Sequence, residues 1–171
     1  MYPKIILLCL LLLVQEAKSQ DTWSVGASLN YNFPLQTVGA GIRARLPMNE
    51  RLALVPKVRY APSFNAIHEV DAGVNVQFSL WNVSESGGPV IYLSGGAVYN
   101  RWLNYQPSAN AIAEENNILP ELGGGFLSGG KRFKFFTEAH WNFRWNESYG
   151  DIGVLFYPSA RKSKRSLRCY Y

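Results

Sequence analysis

The feature that most constrains this chain is a period of two. In residues 132–145, RFKFFTEAHWNFRW, one parity holds Phe133, Phe135, Thr137, Ala139, Trp141, Phe143 and Trp145. The other holds Arg132, Lys134, Glu138, His140, Asn142 and Arg144, with Phe136 the one exception. Successive side chains of a β-strand point to opposite faces. The stretch therefore predicts a strand with one aromatic face and one face of mixed charge.

The same alternation recurs along the chain. TWSVGASLNYNF sets Trp23, Val25, Ala27, Leu29, Tyr31 and Phe33 against Ser, Gly and Asn. VGAGIRARL sets Val38, Ala40, Ile42, Ala44 and Leu46 against Gly39, Gly41, Arg43 and Arg45. RLALVPKVRY sets Leu52, Leu54, Pro56, Val58 and Tyr60 against Lys57 and Arg59. IHEVDAGVNVQFSLW alternates Val70, Ala72, Val74, Val76, Phe78 and Leu80 with Glu69, Asp71, Gly73, Asn75, Gln77 and Ser79. VIYLSGGAVYNRW is apolar on both parities, and its register stays open. ILPELGGGFL is broken by glycines, which are read as room for a bulky neighbour or a bend. DIGVLFYP closes the set with Ile152, Val154 and Phe156 on one parity. No period of 3.6 competes over a long window.

Eight such segments joined mostly by short turns predict an all-β, eight-stranded up-and-down antiparallel barrel. Closure removes sheet edges, and eight strands leave an interior that side chains can fill. The remaining question is which face lies inside. A soluble ligand-binding barrel buries the aromatic face and wets the other. A transmembrane barrel does the reverse.

Composition bears on that choice. Only 17% of residues are charged and 14% are aromatic, where about a quarter charged is usual for a soluble domain. Mean hydropathy is −0.10, as expected when each apolar residue is followed by a polar one. The polar face of the first strand holds only Gly, Ser and Asn, which suits a crowded interior better than open water. Single charges elsewhere complement one another: Arg43, Arg45, Lys57, Arg59, Lys134 and Arg144 against Glu69, Asp71, Glu121 and Glu138. With His140 these form an expected lumen network, since buried charges must be paired. Trp23, Tyr31, Phe33, Tyr60, Trp81, Tyr99, Trp102, Phe133, Trp145, Tyr149 and Tyr157 fall near predicted strand ends, where aromatic girdles meet the two membrane interfaces. The lipid-facing reading is preferred. The soluble secreted barrel is the alternative.

The ends of the chain read differently. Lys4 precedes an apolar run, Ile5 to Val14, and Ala17-Lys18-Ser19 follows as a small-x-small site. The run is too short to span a bilayer, so residues 1–19 are expected to be a cleaved secretory signal. Gln20 after the cut resembles exported proteins of the Bacteroidetes group. Cys9 leaves with the signal, so Cys169 stands alone and no internal disulfide is available. The net charge of +5 sits largely in a basic tail, 159–171. Between Asp21 and Ala160 ten basic residues meet eleven acidic ones. Nucleic acid is therefore not an expected partner.

With the signal at residues 1–19, the barrel at 20–158 and the tail beyond, the chain resembles the small outer-membrane β-barrels of Gram-negative bacteria, of the OmpA/OmpX type. The resemblance implies location in the outer membrane and contact with its lipid. It places the connections 34–37, 62–66, 103–117 and 146–149 outside, and 47–50, 82–89 and 128–131 in the periplasm. The long 103–117 connection is the candidate surface for envelope or extracellular proteins. The class ends in a polar-x-Gly-x-x-aromatic-x-aromatic assembly signal. Asp151, Gly153 and Phe156 match it, and Pro158 stands in place of the last aromatic.

Chemistry has little support. No His-x-x-x-His, acidic metal loop or phosphate-binding glycine loop is present, so no metal and no cofactor is expected. Outer-membrane lipid A deacylases are eight-stranded barrels with a His-x-Ser pair. Here His140 is followed by Asn142 instead of serine, and Ser148 would lie about 26 Å away along one extended strand, at about 3.3 Å per residue. The expected role is structural, adhesive or surface-interacting, with a plugged polar lumen. A narrow pore and a lipid-modifying enzyme are the lesser alternatives.

Overall fold

The structure is a computed structural model that describes residues 23–62, 68–82, 88–104 and 114–158. The expected signal, the tail, and most of the 103–117 connection lie outside the described residues. Eight strands follow one another: β1 Ser24–Asn32, β2 Thr37–Pro47, β3 Leu52–Ala61, β4 His68–Asn82, β5 Val90–Leu103, β6 Asn116–Gly129, β7 Phe133–Asn142 and β8 Glu147–Phe156. Each is antiparallel to its neighbour, and β8 pairs with β1 to close the barrel. The end at which β1 begins and β8 finishes is termed basal, and the opposite end distal.

Local chemistry sets the turns. At the basal β2–β3 turn, the Asn49 Oδ1 atom accepts the backbone N–H groups of Arg51 (2.9 Å) and Leu52 (2.7 Å), an Asx-type closure. At the distal β7–β8 turn, Asn142 Oδ1 accepts the Arg144 N–H at 2.9 Å, and Asn146 takes a left-handed φ of 57°. These two asparagines end β7 at Asn142 instead of Trp145, and let β8 begin at Glu147 instead of Asp151. In β4 the register against β5 shifts between Ser79 and Trp81. This bulge aims both Leu80 and Trp81 outward.

A second irregularity lies between β2 and β3. The β2–β3 ladder runs from Ala40↔Tyr60 to Arg43↔Lys57 and resumes at Leu46↔Leu54. Ala44 and Arg45 are skipped. Pro56, opposite Ala44, has no N–H to donate, so the Ala44 carbonyl loses its ladder partner without any change of register.

Burial is inverted relative to a soluble domain. Among the described residues, eighteen polar or charged ones are buried against eleven apolar ones, while twenty-nine large apolar residues are exposed. Ile42 is 68% exposed, and Leu29, Val58, Val74, Ile118 and Ile152 share its outward parity. Strand β5, open by sequence, turns Tyr92, Ser94, Val98 and Asn100 inward and Ile91, Leu93 and Tyr99 outward. Among the described residues the buried apolar side chains form one cluster at the basal end, Val90, Tyr92, Leu127, Phe136, Leu155 and Tyr157, while Val55, Val98, Leu119 and Tyr149 are buried apart from it. Phe136, the exception to its strand's alternation, belongs to it.

Candidate functional site: the ion-paired lumen and its distal mouth

Above the basal cluster the interior is a connected polar network. Arg43 and Lys57 are neighbours across β2 and β3, and Asp71 faces Arg59 across β3 and β4. Glu138 faces Asp151 across β7 and β8. Strand alternation places all six on the inner face, and closure brings the two halves together. Arg43 Nη1 donates to Glu138 at 2.6 Å and its Nη2 to Asp151 at 3.1 Å. Arg59 Nη2 lies 3.0 Å from Asp71, and its Nη1 3.7 Å from Asp151. Lys57 and the Tyr149 hydroxyl both donate to Glu121, as does Asn75 at 2.6 Å.

Glu138 is the hub. Besides Arg43, its carboxylate accepts from Gln77 (2.8 Å) and Tyr92 (2.7 Å), and it pairs with His140 Nε2 at 3.0 Å. Arg45 reaches the network through Gln77 at 3.2 Å. Aromatic faces carry the guanidinium groups: Arg43 lies 4.1 Å from the Phe136 centroid and Arg59 4.4 Å from that of Tyr149. Four buried bases, Arg43, Arg45, Lys57 and Arg59, thus meet four buried acids, Asp71, Glu121, Glu138 and Asp151. The balance matters because an uncompensated buried charge is far costlier than a paired one.

Of the residues expected in the lumen, Arg43, Arg45, Lys57, Arg59, Asp71, Glu121, Glu138 and His140 lie buried inside. Glu69 is half-buried at the distal mouth, and Lys134 is half-buried near the basal end, with its ammonium 5.2 Å from the Tyr157 ring centroid. Arg144 is a correction. It sits exposed in the β7–β8 turn, because β7 stops two residues before it.

The expected interface aromatics divide. Trp23, Trp81 and Phe133 are exposed at the basal end, and Tyr31, Phe33, Tyr60 and Tyr99 at the distal end. Four depart from expectation. Tyr157 turns inward, 5% exposed, into the basal cluster, since it shares the inner parity of Asp151 and Leu155. Trp102 shares the inner parity of Asn100, and its ring packs 5.5 Å from that of Trp145, which the turn carries off the strand face. Tyr149 also points inward and stacks on His140 at 5.0 Å.

Sequence reasoning missed Tyr92, Tyr149 and Asp151 as network members. Ser94 and Asn100, on the same parity as Tyr92, were the available signal in an otherwise ambiguous strand. For Tyr149 the signal was obscured by reading 146–149 as a loop.

The arrangement limits chemistry. Glu138, His140 and Asp151 offer ligand atoms within 4.8 Å of one another. Both carboxylates already hold arginines, whose positive charge would repel a metal ion in the same space. The separation of His140 from Ser148 is corrected too. The hairpin returns the chain so that Ser148 pairs with Trp141. Trp141 is on the outer parity and His140 on the inner, so nucleophile and base would lie on opposite faces of the wall. A serine nucleophile needs its base within hydrogen-bond reach.

No protein-family model matches the chain, and no curated protein matches it. Solved structures do. The N-terminal β-barrel domain of Pseudomonas aeruginosa OprF superposes with a TM-score of 0.60 at 13% identity, covering 81% of this chain and 98% of that one. Neisserial surface protein A gives 0.58 at 14% identity, covering 79% and 95%. A de novo designed transmembrane β-barrel gives 0.57 at 20% identity, covering 81% and 98%. At these identities the likeness is one of fold. A closed ring of eight antiparallel strands, apolar outside and ion-paired within, this chain has the fold of the eight-stranded transmembrane β-barrels found in bacterial outer membranes.

Proposed function

We propose that the chain is an integral outer-membrane protein, exported by residues 1–19, whose lumen is a closed polar plug and whose role is structural or surface-interacting. The observation that carries this reading is the inversion of burial. Among the described residues, twenty-nine large apolar side chains are exposed around a barrel whose buried charges are balanced four against four. Water is a poor solvent for that exterior and lipid a good one. The basal cluster of Val90, Tyr92, Leu127, Phe136, Leu155 and Tyr157 supports closure at one end of the lumen. The Glu138 and Glu121 networks support closure along its middle. Under this reading the connections at the distal end, residues 103–117 foremost, meet envelope or extracellular proteins.

Fractionation of cells expressing the full chain tests the membrane claim. The protein is expected in the membrane pellet after carbonate washing, with migration on unboiled gels that changes on heating. Release into the soluble fraction overturns it in favour of a secreted barrel. Planar-bilayer recording tests the plug: no unitary conductance is expected, and discrete conductance steps overturn closure. Lipid A mass spectra are expected to be identical with and without His140→Ala. A shift in acyl content that depends on His140 overturns the non-enzymatic reading.

A further inference from the structure

The outer face is not uniform around the ring. On β1–β4, Ala27, Ala44, Pro56 and Ala72 share the outward parity of Ile42 and Val58. Register sets Ala27 beside Ile42, Ile42 beside Val58, and Val58 beside Ala72. Ala44 and Pro56 stand opposite one another one step nearer the basal end. These small side chains leave a depression of about 910 Å³ in the wall, bordered by Val25, Val74 and Phe156. Ligand pockets hold about 300–1,000 Å³, so the space suits a ligand-sized apolar group.

The basal border of the same face is polar and aromatic. Trp23 precedes β1 and Trp81 lies at the end of β4; they are 49% and 57% exposed. The β4 bulge is what turns Trp81 outward. Strand order sets the β2–β3 turn between these two indoles, which mark the level where hydrocarbon meets headgroups. The turn is held in shape by Asn49, and the Arg51 carbonyl accepts the Ser79 N–H at 2.7 Å. It presents an exposed acid, Glu50, beside an exposed base, Arg51. Pro56 stands five residues from Arg51, about 16 Å along β3 at about 3.3 Å per residue. One leaflet's hydrocarbon is about 15 Å deep. A lipid whose headgroup meets the turn therefore has its chains level with the depression.

Resting on the outer-membrane reading above, we propose that the β1–β4 face binds an aminophospholipid, with its phosphate at Arg51, its primary ammonium at Glu50 and its chains against Ala44 and Pro56. The headgroup class follows from the adjacent acid and base. A guanidinium matches a phosphate, but a headgroup bearing phosphate alone would set like charge against Glu50. A quaternary ammonium has no N–H to donate, whereas a primary ammonium has three.

The test reconstitutes the full chain in dioleoylphosphatidylcholine vesicles containing brominated phosphatidylethanolamine, phosphatidylcholine or phosphatidylglycerol. Quenching of tryptophan fluorescence against mole fraction gives relative binding constants. Phosphatidylethanolamine is expected to bind about threefold tighter than either of the others, the scale of one exposed ion pair. Glu50→Gln is expected to bring it level with phosphatidylcholine, and Ala44→Phe, which fills the depression, to weaken it about threefold, with heat-modifiable migration unchanged in both. Equal binding of the three lipids, preference for phosphatidylglycerol, or an unchanged preference in folded Glu50→Gln overturns the proposal. Disulfide cross-linking of two copies through Ala44→Cys in a Cys169→Ser background also overturns it, and assigns the depression to a second copy. All of these outcomes leave the protein in carbonate-washed membranes, whereas its release from them overturns the outer-membrane reading itself.

Discussion

Replacing Glu138 by leucine is the sharpest probe of the plugged lumen. The carboxylate is 5% exposed and serves Arg43, Gln77, Tyr92 and His140 at 2.6 to 3.0 Å. Its loss leaves the Arg43 guanidinium with Asp151 at 3.1 Å and the face of Phe136. Two unit charges about 4 Å apart attract by about 4 kcal/mol at an effective dielectric near 20. Breaking a buried pair by removing one partner costs about 3–5 kcal/mol. Glu138→Leu is therefore expected to cost about 4 kcal/mol. The double variant Arg43→Met/Glu138→Leu, which removes both charges, should recover about 2–3 kcal/mol of that cost, a coupling of the size seen between contacting residues. The assay is urea unfolding of the full chain from lipid vesicles, followed by tryptophan fluorescence and extrapolated linearly to zero denaturant. A cost under about 1 kcal/mol with no coupling would mean that lumen water solvates Arg43 freely. The plug would then be refuted.

Three further outcomes follow from particular positions. Ile42→Arg, on the most exposed large apolar side chain of β2, is expected to cost about 2–4 kcal/mol in vesicles if the outer face meets lipid; an effect under about 0.5 kcal/mol, typical of a wetted surface, would contradict that. Gly125→Ala sets a Cβ 2.7 Å from both Glu138 Cγ and Tyr92 Cζ, and such overpacking is expected to cost about 1–3 kcal/mol in the same unfolding assay. Pro56→Val supplies the N–H missing opposite Ala44; a gain of about 1 kcal/mol is expected from the added bond, with slow hydrogen exchange at the new amide of position 56, and exchange as fast as in a loop would contradict the ladder geometry.

The sequence by itself determined the strands and their faces. Alternation is a local property of the backbone, so Arg43 with Arg45, Lys57 with Arg59, and Glu69 with Asp71 could be assigned to common faces from spacing alone. An apolar face too rich in aromatics for a surface in water then indicated its solvent. Ambiguity remained where local signals conflicted. Strand β5 is apolar on both parities because Val90, Tyr92 and Val98 face the basal cluster or the lumen while Ile91, Leu93 and Tyr99 face outward. Periodicity cannot separate two apolar faces in different solvents. The end of β7 was misplaced because Phe143, Arg144 and Trp145 continue the alternation through a turn that Asn142 and Asn146 impose.

Only the tertiary structure decided who meets whom. Arg43 and Glu138 are ninety-five residues apart, and no sequence spacing links them; closure of β8 on β1 does. The same closure brings Tyr157 into the basal cluster and Trp102 beside Trp145. Strand alternation fixes on which side of the wall a side chain lies, because it depends on one residue and its neighbours. Its depth and its partners depend on register around the whole ring, which all eight strands set together.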